Sequence, residues 1–137
     1  MSTRRITRIV TAGALGLAGL GAFALVPVAS ASAATPSINI NAKCSGTSVS
    51  NLQVQREDTG AVSVDFGVDM ARHTAGVPWK VAEGRNGTGF VSATVKTVKD
   101  GSFSVSRVLS PLAGTNTIVA SAVNAKTGET CSITGSL

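Results

Sequence analysis

The sequence predicts an all-β domain, a two-layer sandwich, behind an N-terminal export signal. Three observations carry that expectation. Beyond residue 33, apolar residues recur with period two, in short runs separated by Gly, Asn and Asp turn signals. No stretch there shows a convincing helical period. The only two cysteines, Cys44 and Cys131, bracket nearly all of this region.

The export signal comes first along the chain. Met1–Arg8 carries Arg4, Arg5 and Arg8, and Ile9–Val28 is uncharged and rich in Ala, Gly, Leu and Val. Small residues follow at Ala29–Ala34. A basic start, an apolar stretch and an A-x-A site define a secretory signal peptide. Cleavage is expected after Ala33, with Ala31 as the alternative. An uncharged run of about 20 residues is also long enough to span a bilayer. Gly13, Gly16, Gly19, Gly21 and Pro27 dilute it and favour the cleaved signal. Thr7 stands where a twin-arginine signal wants a hydrophobic residue, so the general secretory route is expected. Cys44 follows Lys43, far from the apolar run, which does not suit a lipoprotein cysteine. The expected organisation is a signal peptide over 1–33, a short extended lead over 34–43 and a sandwich domain over 44–137. The expected location is extracellular.

The lead holds Ser37-Ile38-Asn39-Ile40, which either adds a short strand or stays loose. Val49–Gln55 alternates Leu52 and Val54 against Asn51, Gln53 and Gln55, and Arg56–Gly60 reads as a turn. Ala61–Met70 is the clearest strand. Val62, Val64, Phe66, Val68 and Met70 share one face against Ser63, Asp65, Gly67 and Asp69, the pattern of a half-buried antiparallel strand.

Ala71–Val77 is a loop, and Pro78–Ala82 is a short strand with Trp79 and Val81 on one side. Asn86-Gly87 then signals a hairpin, because both residues tolerate positive φ. The same residues open a formal glycosylation sequon, Asn86-Gly87-Thr88, but the turn reading is preferred. Phe90–Val98 is the next strand, and Lys99-Asp100-Gly101 turns the chain. Ser102–Leu109 alternates Phe103, Val105 and then Arg107 against Ser102, Ser104 and Ser106. Ser110–Asn116 is a longer loop, Thr117–Asn124 a strand and Lys126–Gly128 a turn. Glu129–Gly135 closes the domain with Cys131 and Ile133. About seven such strands imply an immunoglobulin- or fibronectin-like sandwich with Trp79 in its core. In an exported chain the two cysteines pair by default. Closing a loop of about 90 residues removes roughly 4–5 kcal/mol of unfolded-state entropy.

The stretch Asp58-Thr59-Gly60 into Val62–Asp69, Trp79, Gly101–Arg107 and Thr127-Gly128-Glu129-Thr130-Cys131 resembles small secreted actinobacterial proteins of unknown function. The resemblance covers nearly the whole region after the signal. It implies a shared fold and a shared bridge, and it brings no catalytic residues.

Charge excludes little beyond one class. Nine of the twelve Lys/Arg lie beyond residue 33 against all seven acids, a net charge of +2 with the signs interspersed. That balance gives no basic patch for nucleic acid, and none is expected as a partner. His73 is the only histidine, so a serine nucleophile would have one imidazole candidate, and no G-x-S-x-G elbow is present. A solvated loop residue is the plainer reading of His73. One His and a cysteine pair do not make a zinc site. Asp65 and Asp69 share a face but sit about 13 Å apart at strand rise, too far to chelate one ion. Phe66, Trp79 and Phe103 are expected in the core. Phe90 alone is free for the outer surface, a poor platform for stacking sugars.

The expected function is therefore non-enzymatic. It is surface contact with a protein or cell-envelope partner, with no cofactor, no metal and no membrane attachment after signal cleavage. The expected contact surface is a pair of loops at one end, Ala71–Val77 with Arg72 and His73, and Ser110–Asn116 with Pro111 and Leu112. Two other readings stand behind it. One is an inhibitor of secreted proteases presenting Val108–Leu112. The other is a small-molecule carrier.

Overall fold

A computed structural model describes residues 34–137. The signal peptide expected over 1–33 lies outside the described residues. The described chain is all-β. It runs through eight strands: β1 Ser37–Lys43, β2 Val49–Arg56, β3 Val62–Asp69, β4 Pro78–Arg85, β5 Thr88–Lys96, β6 Ser102–Leu109, β7 Thr117–Asn124 and β8 Thr130–Ser136. They form two antiparallel four-stranded sheets, ordered β1-β2-β3-β6 and β5-β4-β7-β8. Among the described residues no helix is long and apolar enough to cross a membrane.

Strands β2 to β8 supply the seven strands read from the periodicity, split three and four between the layers. The open question about the lead is resolved by β1. Ile38 and Ile40 turn inward, and β1 pairs with β2 along its whole length, from Ser37↔Gln55 to Lys43↔Val49. It therefore becomes an eighth strand at the edge of the first sheet.

Period-two alternation places the core. Leu52, Val54, Val62, Val64, Phe66 and Val68 of the first sheet are buried against Trp79, Val81, Ile118, Ala120, Ala122 and Ile133 of the second. Phe103 joins the layers, with its ring 6.4 Å from Phe66 and 5.8 Å from Trp79. Each buried Val, Leu, Ile or Phe among them contributes about 1.5–3 kcal/mol by leaving water.

The turn chemistry holds. Arg85 pairs with Thr88 across the two-residue turn Asn86-Gly87, whose φ angles are 50° and 84°. These are the left-handed values that a tight hairpin requires. Strand β4 is longer than the periodicity suggested. It runs past the expected Ala82 to Arg85, and Gly84 pairs with Gly89 and Val119 beside a β-bulge between Glu83 and Gly84. The bulge has a second consequence. Phe90, expected on the outer surface, sits in the displaced register and packs half-buried against the core.

Candidate functional site

The two expected contact loops do not share an end. β3 and β6 are antiparallel neighbours, with Asp69 beside Ser102 and Val62 beside Leu109. The chain leaves β3 at one end of the sandwich and leaves β6 at the other. Arg72 and His73 therefore lie at the disulfide end. Pro111 and Leu112 lie at the opposite end, beside the Asn86-Gly87 hairpin. The expectation of one joint surface is overturned by this topology.

At the hairpin end the Ser110–Asn116 loop is fastened from several sides. Arg85 Nη1 donates to Ser110 O at 2.9 Å, Arg56 Nη2 to Gly114 O at 3.3 Å and Asn86 Nδ2 to Thr115 O at 3.3 Å. The buried Asn116 Nδ2 donates to the carbonyls of Leu112 and Gly114, at 3.4 and 3.1 Å. Leu112 and Phe90 border a depression of about 340 Å³ there.

The disulfide end is built differently. Cys44, just past β1, is bonded to Cys131 in β8, with their Cα atoms 4.3 Å apart. Around the bridge, Ser45 N donates to Thr130 O at 2.8 Å, and Thr130 N returns to Ser45 Oγ at 2.9 Å. Glu129 is the anchor of the neighbouring turn. Its two carboxylate oxygens accept from Ser48 N at 2.8 Å and Ser48 Oγ at 3.0 Å, tying the β7–β8 turn to the β1–β2 turn. Gly46 leaves the space that the Glu129 carboxylate fills, since a Cβ there would meet Glu129 Oε1 at 2.6 Å.

These turns enclose a polar cup of about 460 Å³, bordered by Ser45–Ser48, Met70–Arg72, Asn124 and Thr127–Glu129. Arg72 is the one residue of the expected contact set that lines it. Asn124 is buried. Its Oδ1 accepts from the backbone N–H groups of Lys126 and Thr127, while its Nδ2 has no partner. The cup thus brings together hydroxyls, an amide, a guanidinium and a carboxylate. It supplies donors and acceptors for a polar ligand and no nucleophile–base pair.

His73 stands outside the cup. Its Nδ1 donates to Asp100 O at 2.6 Å, which holds the Ala71–Val77 loop onto the Asp100 turn. Ser102 is near, but its hydroxyl donates to Asp100 Oδ1 at 2.6 Å, not to the imidazole. That bond, with the Ser102 N–H, keeps the Asp100 carboxyl below the usual range. Ser, His and Asp are therefore neighbours in turn-holding roles, without the serine-to-imidazole hydrogen bond that activation needs. Gly101 permits this contact. At φ 84° it carries no Cβ where Arg72 O would lie 2.7 Å away. Among the described residues no group of three or more His, Cys, Asp or Glu is arranged to hold a metal ion.

Beyond the cup, sequence reasoning also missed a buried acid. Glu83 reads as an ordinary surface charge, but it is 3% exposed inside the sandwich. Neither of its carboxylate oxygens has a hydrogen-bond partner. Burial pushes its pKa up to about 7; Arg107 pulls it down and Asp65 adds to the rise. The signal was present in the alternation Trp79, Val81, Glu83, whose third member points where the first two do.

No protein-family model, no curated protein and no solved structure matches this chain.

Proposed function

We propose that this chain is an exported, non-enzymatic binding domain that contacts a protein or cell-envelope partner through the polar cup at its disulfide end. Export is supported by the signal-peptide pattern of residues 1–33 together with the disulfide, which belongs to oxidising compartments. The same reading makes the producing cell an actinobacterium, on the resemblance of the strand and turn motifs.

One observation carries the choice of surface. The cup joins turns from both sheets at the point where the Cys44–Cys131 bridge and the Glu129–Ser48 bonds hold them together. A recognition surface gains affinity when its groups are fixed before binding, because less ordering is left to be done on contact. The Ala71–Val77 loop contributes Arg72 to this rim.

The test is affinity capture with the disulfide-bonded protein, from culture supernatant and washed envelope fragments of the producing cells. Retention by the native protein and loss with Arg72→Glu supports the reading. Equal retention by the two proteins removes the cup from it.

The protease-inhibitor reading retains one favourable observation. Val108 and Leu112 are 72% and 42% exposed, unusual for large apolar side chains. Val108, however, is paired with Ser63 inside β6, so the segment is strand for its first half and not a protruding loop. The carrier reading has less support, because Phe66, Trp79 and Phe103 fill the space between the sheets.

A further inference from the structure

Glu83 takes the third inward position of β4, after Trp79 and Val81. Its strand neighbours are Val91 on β5 and Ala120 on β7, neither of which offers a polar side chain. Its carboxylate oxygens are buried and unpartnered. An ionised carboxylate in such a place requires a counter-charge, a proton or a rearrangement.

Among the described residues Arg107 is the cation whose charge acts on Glu83. It lies on β6 in phase with Phe103 and Val105, both of which point into the core. Alternation therefore sends its Cα–Cβ bond toward the sandwich. Its far end does the opposite. The guanidinium bends out to the solvent face, where Nη1 donates to Ser106 O at 3.0 Å. There it borders a depression of about 340 Å³ on the outer face of β2, β3 and β6, together with Gln53 and Asp65. The Arg107 charge is near enough to act on Glu83, and a long apolar stem lets a charged head lie away from its own Cβ direction.

The other elements around Glu83 contribute little charge. β7 and β8 carry no charged residue, and β2 and β5 carry only Arg56 and Lys96, each at a strand end. Asp65 on β3 faces outward, and its carboxylate accepts from Ser106 Oγ at 2.5 Å. On β4 itself, Lys80 is exposed, and Arg85 is engaged with the Ser110 carbonyl.

We propose that Glu83 and Arg107 form a latch on the β5–β6 side: when Glu83 releases its proton to solvent, the Arg107 guanidinium turns inward to pair with it. Below the transition the latch is open, with Glu83 neutral and Arg107 on the outer face. Above it, Arg107 is drawn in and Asp65 remains as the charge of the outer depression. The device would give one face of the sandwich a net charge that depends on pH near neutrality, where Glu83 titrates. It is independent of the cup at the disulfide end.

NMR on the disulfide-bonded protein tests the latch directly, by following the Glu83 Cδ and Arg107 Nε resonances from about pH 5 to 9. The expected result is a Glu83 transition near neutrality, with the Arg107 resonance moving at the same midpoint. In Glu83→Gln the Arg107 movement should vanish. In Arg107→Met the Glu83 midpoint should rise, because the cation that favours its charged form is gone. Should Glu83→Gln fail to fold, Arg107→Met still decides the matter. A Glu83 transition in the ordinary carboxylate range overturns the proposal, as does an Arg107 resonance indifferent to pH or a midpoint unchanged in Arg107→Met.

Discussion

β5 and β8 flank the same sheet and carry the same alternation, yet they are buried to different depths. The inward residues of β8, Cys131, Ile133 and Gly135, are all buried, whereas those of β5, Val91, Ala93 and Val95, are only half-buried. The difference comes from the opposite layer. Facing β8, the β1 edge is clamped down by the disulfide, and Gly135 leaves room for Ile38, Ile40 and Leu52 to press onto the strand. Along the other side, β6 and β5 end their sheets with no such staple. One sandwich therefore has a closed side and a looser side. On the closed side a glycine, Gly135, holds a crowded inward position, and β8 carries no charge. The looser side accommodates a bulge, the displaced Phe90, a buried acid and an arginine at an inward position.

Removing the clamp should produce the largest effect. The double variant Cys44→Ser with Cys131→Ser is expected to lose about 4–5 kcal/mol, the entropy of closing a loop this long. Small domains have about 5–15 kcal/mol in total, so most of the margin would go. Urea unfolding of the variant beside the parent measures it. A loss below about 1 kcal/mol would mean that packing of Ile38 and Ile40, and not the bridge, closes this side.

The looser side should respond to pH. The native Glu83 pKa of about 7 stands above its ordinary 4.5. Below 4.5 the group is neutral in the folded and the unfolded chain and costs nothing. As pH rises past 4.5 the unfolded chain ionises first, so stability falls until the folded pKa is passed and then levels off. The full drop is about 3 kcal/mol at 1.36 kcal/mol per pH unit. Glu83→Gln should abolish it. The variant should be more stable than the parent at pH 8 by about 2–3 kcal/mol and close to it at pH 4.5. Thermal unfolding across that range tests this, and parallel curves for the two proteins would contradict it.

A smaller contrast comes from adding one methyl group to each side. Gly135→Ala places a Cβ against Ile38 Cδ1, with Ile40 Cδ1 and Leu52 Cδ2 close behind. Gly135 has no positive φ, so any cost arises from crowding alone, and about 1–2 kcal/mol is expected. Ala93→Val enlarges an inward position of β5 that is only half-buried, and a change within about 0.5 kcal/mol is expected. Equal penalties at the two positions would erase the distinction between the sides.

Most of the architecture was legible in the sequence because it is local. Alternation marked Val62–Val68 as a strand, Asn86-Gly87 announced its own turn, and two cysteines in an otherwise cysteine-free domain have one pairing. What escaped was not local. β6 pairs with β3 across two intervening strands, and no local pattern could show that Arg72 and Leu112 leave from opposite ends. Glu83 escaped for another reason. Its charge argued for the surface more loudly than its phase argued for the core. The expected strand also stopped at Ala82, before Glu83 could be counted in its alternation. The cup at the disulfide end draws on four separate segments, and only Arg72 among its residues was singled out beforehand.

The smallest expected change in stability bears most directly on function. Arg72 lies on the rim of the cup, and its loop is fastened by other groups: the His73 ring on Asp100 O, and Thr97, whose hydroxyl donates to Thr74 O at 2.6 Å. Arg72→Ala should therefore leave folding unchanged within about 0.5 kcal/mol. Pro111→Ala, at the other end, should be equally mild for binding. Envelope or secreted-protein capture should fall with Arg72→Ala and persist with Pro111→Ala. The reverse pattern would move the contact surface to the hairpin end and restore the Val108–Leu112 segment as the recognition element. Loss with both variants would point to two contacts on one large partner, since the loops sit at opposite ends of the rigid sandwich and a small ligand could not touch both.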